Sequence, residues 1–244
     1  MEIGRKPLGG KSYGHIPHLP GSRMGPGDHK CSDGQCRIAT EKKRDRHDVI
    51  IVQEKVDGSN VGVARIEGMI YPLTRAGYIA STSPYEQHWC FGEWVYANQD
   101  RFMSTLRDGE RLCGEWLMQA HGTKYDLPHE PFVAFDLMRG MRRATLHEFY
   151  ERVTGRFVCP KEIHFGEPFS IQDMLEAIKT SGHGALDPVE GAVWRIERKG
   201  TVDFLAKYVR PEKQDGIYLT EVSGKDPVWN WRPEWTMRAA NQRA

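Results

Sequence analysis

The chain is predicted to be an α+β domain built on mainly antiparallel sheets with flanking helices. Strand-like runs outnumber helical ones along residues 49–209. Most of these runs are joined by short turns, which favours antiparallel pairing. At 244 residues, 39% apolar and 27% charged, the chain can hold one sizeable core of ordinary globular composition.

The first 48 residues differ in composition from the rest of the chain. Gly, Pro and His dominate from Leu8 to Ser22, and a polar, turn-rich run continues to Gly34. Residues 1–48 therefore read as an irregular arm without a core of its own. His29, Cys31 and Cys36 suggest zinc, but no second ligand pair stands at finger spacing, and a structural loop is the other reading. The mixed-charge run Glu41-Lys42-Lys43-Arg44-Asp45-Arg46-His47-Asp48 suits a solvated face or a phosphate-backbone contact.

Val49-Ile50-Ile51-Val52 and the alternating Val61-Gly62-Val63-Ala64-Arg65-Ile66 predict two strands, joined as a hairpin by a tight loop with Lys55 at its start. Residues 68–74 give a third strand. Residues 84–106 read as one long helix whose aromatics, including Tyr85, Trp89, Phe91 and Trp94, belong to the core. Strands come next at 111–117 and 131–138, each carrying a single acid, Glu115 or Asp136, in an apolar setting. Helices are expected near 145–153 and 170–180, the second opened by a Ser170-x-x-Asp173 cap. Residues 190–196 and 202–209 form two strands around a Lys199-Gly200 turn. The expected organisation is an arm (1–48), a core domain (49–215) and a Trp-rich tail (216–244).

A formal net charge of +1 gives no global basic field, so any nucleic-acid contact must come from a local patch. No run approaches the roughly 20 apolar residues needed to span a bilayer, and the N-terminus lacks the apolar segment of a signal peptide. Five scattered cysteines suit reduced thiols, so a cytoplasmic protein without membrane contact is expected.

Chemistry concentrates in Glu54-Lys55-Val56-Asp57-Gly58-Ser59-Asn60. Lysine becomes a nucleophile when burial or nearby cations lower its pKa. Gly58 lets the backbone approach a ligand closely, and Asp57 and Asn60 can fasten the loop. Alone, Lys-x-Asp-Gly equally fits a hairpin with a solvated lysine. However, Lys55, Glu115, Asp136, Glu190 and Lys207 all stand at ends of apolar strands, where an unpaired charge is costly. Charges of both signs recurring this way read as the lining of one polar cleft.

Six short motifs then fall in a telling order: Lys55-Val-Asp-Gly-Ser-Asn60, Arg75-Ala-Gly, Leu112-Cys-Gly-Glu115, Phe132-Val-Ala-Phe135-Asp136, Glu190-Gly-Ala-Val-Trp-Arg195 and Ala206-Lys207. This order resembles that of covalent nucleotidyltransferases, which comprise DNA ligases, RNA ligases and mRNA capping enzymes. Glu54, Asn60 and Phe135-Asp136 look most like ATP-dependent RNA ligases of the T4 RNA ligase 2 group. Tyr13 to Pro20 is similar to a Tyr…His-Leu-Pro segment of some bacterial RNA ligases. The resemblance implies a nucleotidyltransferase (ATP-grasp-like) domain. The sequence after Lys207 is too short for the OB domain of DNA ligases and capping enzymes, so none is expected.

The activity implied is sealing of RNA 5′-phosphate to 3′-hydroxyl ends through a lysyl-AMP intermediate, with ATP and Mg²⁺ or Mn²⁺. DNA ends, a capping-type guanylyltransferase and a non-catalytic RNA-end binder are the alternatives. By the same resemblance, Lys55 attacks the α-phosphate, while Lys207 neutralises charge there and depresses the Lys55 pKa. Glu190 and Asp57 attend the metal. Glu54 sits at the adenine edge, Phe135 stacks on adenine, and Glu115 binds a ribose hydroxyl. Arg75 holds the ribose-phosphate side or the incoming 5′-phosphate, and Asn60 meets that 5′-phosphate. Arg195 is either a phosphate contact or a strand-end salt bridge.

The last motif departs from the pattern: relatives carry Lys-x-Lys where this chain has Lys207-Tyr208-Val209-Arg210. Strand alternation turns Arg210 from the cleft, leaving Arg210 and Lys213 for an RNA path. In the tail, Trp229, Trp231 and Trp235 interleave with Arg232 and Arg238, for docking onto the domain or for stacking on bases.

Overall fold

The computed structural model describes residues 6–233. Its strands are β1 (Asp48–Lys55), β2 (Ser59–Ile66), β3 (Met69–Thr74), β4 (Glu110–Trp116), β5 (Phe132–Arg139), β6 (Arg142–Arg143), β7 (Glu162–Gly166), β8 (Gly191–Arg198) and β9 (Thr201–Val209). The helices are α1 (Asp33–Thr40), α2 (Glu86–Ala97), α3 (Gln99–Thr105), α4 (Leu146–Val153), α5 (Ile171–Ala177) and α6 (Thr220–Ser223). The strands form two sheets, ordered β7-β1-β8-β9 and β3-β2-β4-β5-β6. Every pairing within them is antiparallel, as the α+β reading expects.

Local chemistry accounts for the hairpins. Glu67-Gly68 joins β2 to β3 and Lys199-Gly200 joins β8 to β9, and all four residues take positive φ, between 50° and 75°. Two successive left-handed residues match the twist of paired strands. β1 buries both faces. Ile51 packs with Phe91, Trp94 and Trp116 in the core under the five-stranded sheet, whereas Ile50 and Val52 pack with Trp194, Met174 and Ala39 beneath α1 and α5.

Several expectations need correction. β1 and β2 are not a hairpin: β1 pairs with β7 and β8, β2 with β3 and β4, and the Lys55 loop carries the chain from one sheet to the other. Alternation locates strands but does not say which of them pair. The helix expected over 84–106 is broken at Asn98, with backbone angles of −115° and 20° and a side-chain amide that donates to the Trp94 carbonyl at 2.8 Å. A polar amide competing for the helix's own acceptors ends α2 there. On α2, Phe91 and Trp94 are core, but Trp89 and the N-cap residue Tyr85 are 43% and 49% exposed.

The arm contains α1, closed by a capping box in which Gln35 N–H donates to Ser32 Oγ and the Gln35 side chain accepts from Ser32 N–H. The mixed-charge run is largely exposed, as a solvated face would be, apart from Asp48 at its end. Arg44 and Arg198 clamp the fully buried Asp48, with Asp45 and Asp203 completing the ion-pair network. β6 and β7 lie in stretches too short or too mixed to carry a period.

The tail docks as far as it is described. Met118 O accepts from the N–H groups of Asn230 and Trp231, and Trp231 packs on Trp116 with ring centroids 5.8 Å apart. Trp235 and Arg238 lie outside the described residues. All five cysteines are free thiols, and Cys31 and Cys36 belong to no group of three or more metal-ligating side chains among the described residues. No described helix is long and apolar enough to cross a membrane.

Candidate active site

The site sits where the chain changes sheets. A Cβ on Gly58 would lie 2.5 Å from the Trp116 carbonyl oxygen, so only glycine passes there. Asp57 ties the loop down. Its N–H donates to Tyr125 Oη at 2.9 Å, and its carboxylate accepts from Gly122 N–H at 3.0 Å and the Thr123 hydroxyl at 3.1 Å. Behind it lies Lys213, whose ammonium stands 3.3 Å from the same carboxylate and donates to Gly122 O at 2.6 Å. Lys213 is therefore a buried brace and not part of an RNA path.

Lys55 ends β1 directly opposite Gly191 of β8, which brings the preceding Glu190 within reach. The Lys55 ammonium donates to Glu190 Oε2 at 2.6 Å. Glu115 enters from β4 in the other sheet, opposite Asn60, and accepts from Gly58 N–H at 3.3 Å. Burial pulls the Lys55 pKa down, but Glu190, Glu115 and Asp57 together outweigh it and hold the amine above the ordinary lysine range. The expectation that Lys207 depresses Lys55 is thus corrected: three carboxylates dominate a single neighbouring cation. Burial lifts Glu115 to about 7, against the pull of Lys55.

Lys207 stands on β9 opposite Val193 and shares a cavity with Lys55. Burial and then the Lys55 charge lower its pKa, and Asp28 of the arm lies 3.6 Å from its ammonium. Val209 occupies the row of Lys55 and Gly191 across the sheet, where the resemblance expects a second lysine. Arg210 turns aside to Glu212, 2.6 Å away.

Phe135 reaches the cavity through a bulge. Cys113 pairs with Asp136 and Gly114 with Ala134, leaving Phe135 as the extra residue in β5. Such a residue is freed from the alternation of its strand. The Tyr13 ring abuts Phe135 edge-on at 5.1 Å, and its hydroxyl donates to Asp136 at 2.6 Å. Asp136 also pairs with Arg143 and Arg195. Arg195 is therefore a buried ion-pair partner, and it additionally donates to Phe135 O at 3.3 Å.

Glu54, next to Lys55, accepts from the Ser181 hydroxyl at 2.6 Å and Gly182 N–H at 2.7 Å, and lines the same cavity. Of the five strand-end charges, Lys55, Glu115, Asp136 and Lys207 border this cavity, and Glu190 borders the cleft adjoining it beyond Lys55. Arg75 and Asn60 line both, and Asn60 Oδ1 is buried without a partner. Sequence reasoning gave no role to Asp28 or to His18, 3.1 Å from it. The arm places both by running beside β9, with Lys207 N–H donating to Pro17 O and Leu19 N–H to Lys207 O.

Comparison with known proteins places this geometry. A Naegleria gruberi RNA ligase solved with pyrophosphate is similar with a TM-score of 0.53 and 16% identity, over 86% of this chain and 62% of that one. A variant of that enzyme solved with ATP and Mn gives 0.53 and 13%, over 82% and 61%. An archaeal ATP-dependent RNA ligase gives 0.43 and 20%, over 67% and 43%. The chain thus spans 43–62% of the length of these structures, and at such identities the Naegleria likeness shows the fold alone. A search of curated proteins finds no match. The family model for RNA ligase matches residues 48–209, more than half of the chain and every motif from Lys55 to Lys207. The chain therefore belongs to the RNA ligase family.

Proposed function

We propose that this protein is an ATP-dependent RNA ligase that joins 5′-phosphate to 3′-hydroxyl ends through AMP bound to Lys55. The observation that carries the reading is the convergence of Lys55, Lys207, Arg75 and Glu115 on one cavity walled by Phe135. Adenine stacks on Phe135 with Glu54 at the wall beside it. Glu115 accepts a ribose hydroxyl. Lys207 and Arg75 face the phosphates, where negative charge grows as the bond is made.

In the first step Lys55 gives up its proton, and the Nζ lone pair forms the N–P bond to the α-phosphorus. The bond from that phosphorus to the bridging oxygen breaks, and pyrophosphate leaves. AMP then passes to an RNA 5′-phosphate, and the 3′-hydroxyl displaces it. Glu190, 2.6 Å from the amine, is placed to receive the Lys55 proton.

Glu190 would be the carboxylate ligand of a divalent cation shared with substrate phosphates, and among the described residues no group of three or more His, Cys, Asp or Glu side chains is placed to cage one. When bound, it would screen phosphate charge and offset the carboxylate that keeps Lys55 protonated. Asp57, committed to Gly122, Thr123 and Lys213, is better read as the anchor of the loop.

The test is incubation with α-labelled ATP or GTP, a divalent metal and RNA carrying both end types. Labelled protein with ATP and a sealed product is expected. Labelling by GTP instead points to a guanylyltransferase, and RNA retention without labelling or sealing points to an end-binding relative.

A further inference from the structure

The cleft adjoining the nucleoside cavity shares Lys55, Asn60, Arg75 and Glu115 with it, but has a different outer wall. In place of Phe135 it has Tyr78 and Tyr85, which are 39% and 49% exposed. Lys6 Nζ lies over the Tyr78 ring, 4.4 Å from its centroid, which leaves Tyr85 as the more open of the two rings.

Tyr85 stands on a rigid support. Its ring meets that of His88 edge-on, 5.7 Å between centroids. Both His88 nitrogens are held, Nε2 by Ser59 Oγ at 2.6 Å and Nδ1 by Ser83 Oγ at 2.7 Å. Burial lowers the His88 pKa to about 4, so the imidazole is neutral at physiological pH. Lys55 is surrounded by Glu190, Glu115 and Asp57, so Arg75 is the cation of this cleft left to attract a phosphate, and His88 adds no charge beneath the Tyr85 ring. An arginine and an open tyrosine ring on one cleft suit one terminal nucleotide, phosphate at Arg75 and base at Tyr85.

We propose, building on the RNA-ligase reading, that this cleft holds the 5′-phosphorylated terminal nucleotide of single-stranded RNA, with the phosphate beside Arg75 and the base stacked on Tyr85. An unpaired base presents a free π-face to an aromatic side chain. The 5′ nucleotide at a nick is stacked inside a duplex and has no such face to offer. Unpaired ends are thus preferred over nicked duplexes.

The test is equilibrium binding, without ATP, of a short 5′-phosphorylated RNA strand labelled at its 3′ end, free or annealed at a nick. The expected result is tighter binding of the free strand. Tyr85→Ala is expected to weaken it about tenfold while Tyr85→Phe, which keeps the ring, does not. Tyr78→Ala provides a second variant, also expected to bind more weakly. Equal affinity for both RNA forms, wild-type binding by Tyr85→Ala, or equal losses in Tyr85→Ala and Tyr85→Phe would overturn the proposal. Failure of labelled ATP to adenylate the wild-type protein would instead defeat the ligase reading, since the binding measurement involves no chemistry.

Discussion

Lys55 and Glu190 meet at 2.6 Å because β1 and β8 pair in a register that sets Lys55 against Gly191, one residue after the acid. A Cβ on Gly191 would lie 1.9 Å from Tyr208 O, so the pairing of β8 with β9 leaves no room for another residue there. Lys55 is therefore held as an ammonium ion in contact with Glu190, the proton acceptor of the proposed first step.

The stored charge has a chemical signature. With its pKa above the ordinary lysine value, Lys55 is almost wholly protonated at pH 7, and its free-amine fraction grows about tenfold per pH unit. In metal-free, nucleotide-free protein, Lys55 is expected to react with an amine-directed reagent more slowly than exposed lysines at pH 8. Glu190→Gln should speed that reaction. Competitive labelling read by peptide mass spectrometry checks both.

Glu115 should make stability pH-dependent. Its folded pKa, about 7, lies above its ordinary 4.5. The protonated form therefore favours folding, with the benefit complete below about 4.5 and lost as pH rises through about 7. Glu115→Gln is expected to be more stable than wild type by roughly 1–3 kcal/mol at pH 8, with the difference gone near pH 4.5. Urea unfolding at the two pH values measures it.

Lys213 should matter through Asp57. Removing one member of a buried ion pair strands the other, at a cost of roughly 3 kcal/mol. Lys213→Met is expected to lower the melting temperature and slow Lys55 adenylation, and Asp57→Asn added to it should recover part of the stability. A double-mutant cycle by thermal unfolding gives the coupling.

The docked tail should steady the same loop from the other side. The Asn230 carboxamide donates to Leu117 O and accepts from Tyr125 N–H, and Tyr125 Oη in turn accepts from Asp57 N–H. Asn230→Ala loses two hydrogen bonds worth about 1 kcal/mol each. Faster amide exchange at Asp57, read by hydrogen exchange with mass spectrometry, is the expected consequence.

Much of this was legible in the sequence because it is local. The apolar runs mark seven of the strands, and Lys55, Glu115 and Lys207 stand where such runs end. The hidden part is non-local. Nothing in the Lys55 loop says that its flanking strands belong to different sheets. Phe135 reaches the cavity only through a bulge defined by the partner strand, and Tyr13 acquires as a partner Asp136, 123 residues further along the chain. The charge state of Lys55 required knowing that three carboxylates from separate loops and strands surround it. The α1 capping box was written in Ser32 and Gln35, but the surrounding Gly, His and Cys masked it.

Mapping the AMP adduct tests the central claim most directly. The protein is incubated with ATP and Mn²⁺, digested under conditions that preserve phosphoramidates, and its peptides sequenced by tandem mass spectrometry. AMP is expected on the peptide bearing Lys55, at the Lys55 side chain, and none in Lys55→Ala. An adduct on any other residue, or an unmodified Lys55 peptide in protein that seals RNA, would contradict a lysyl-AMP mechanism at this site.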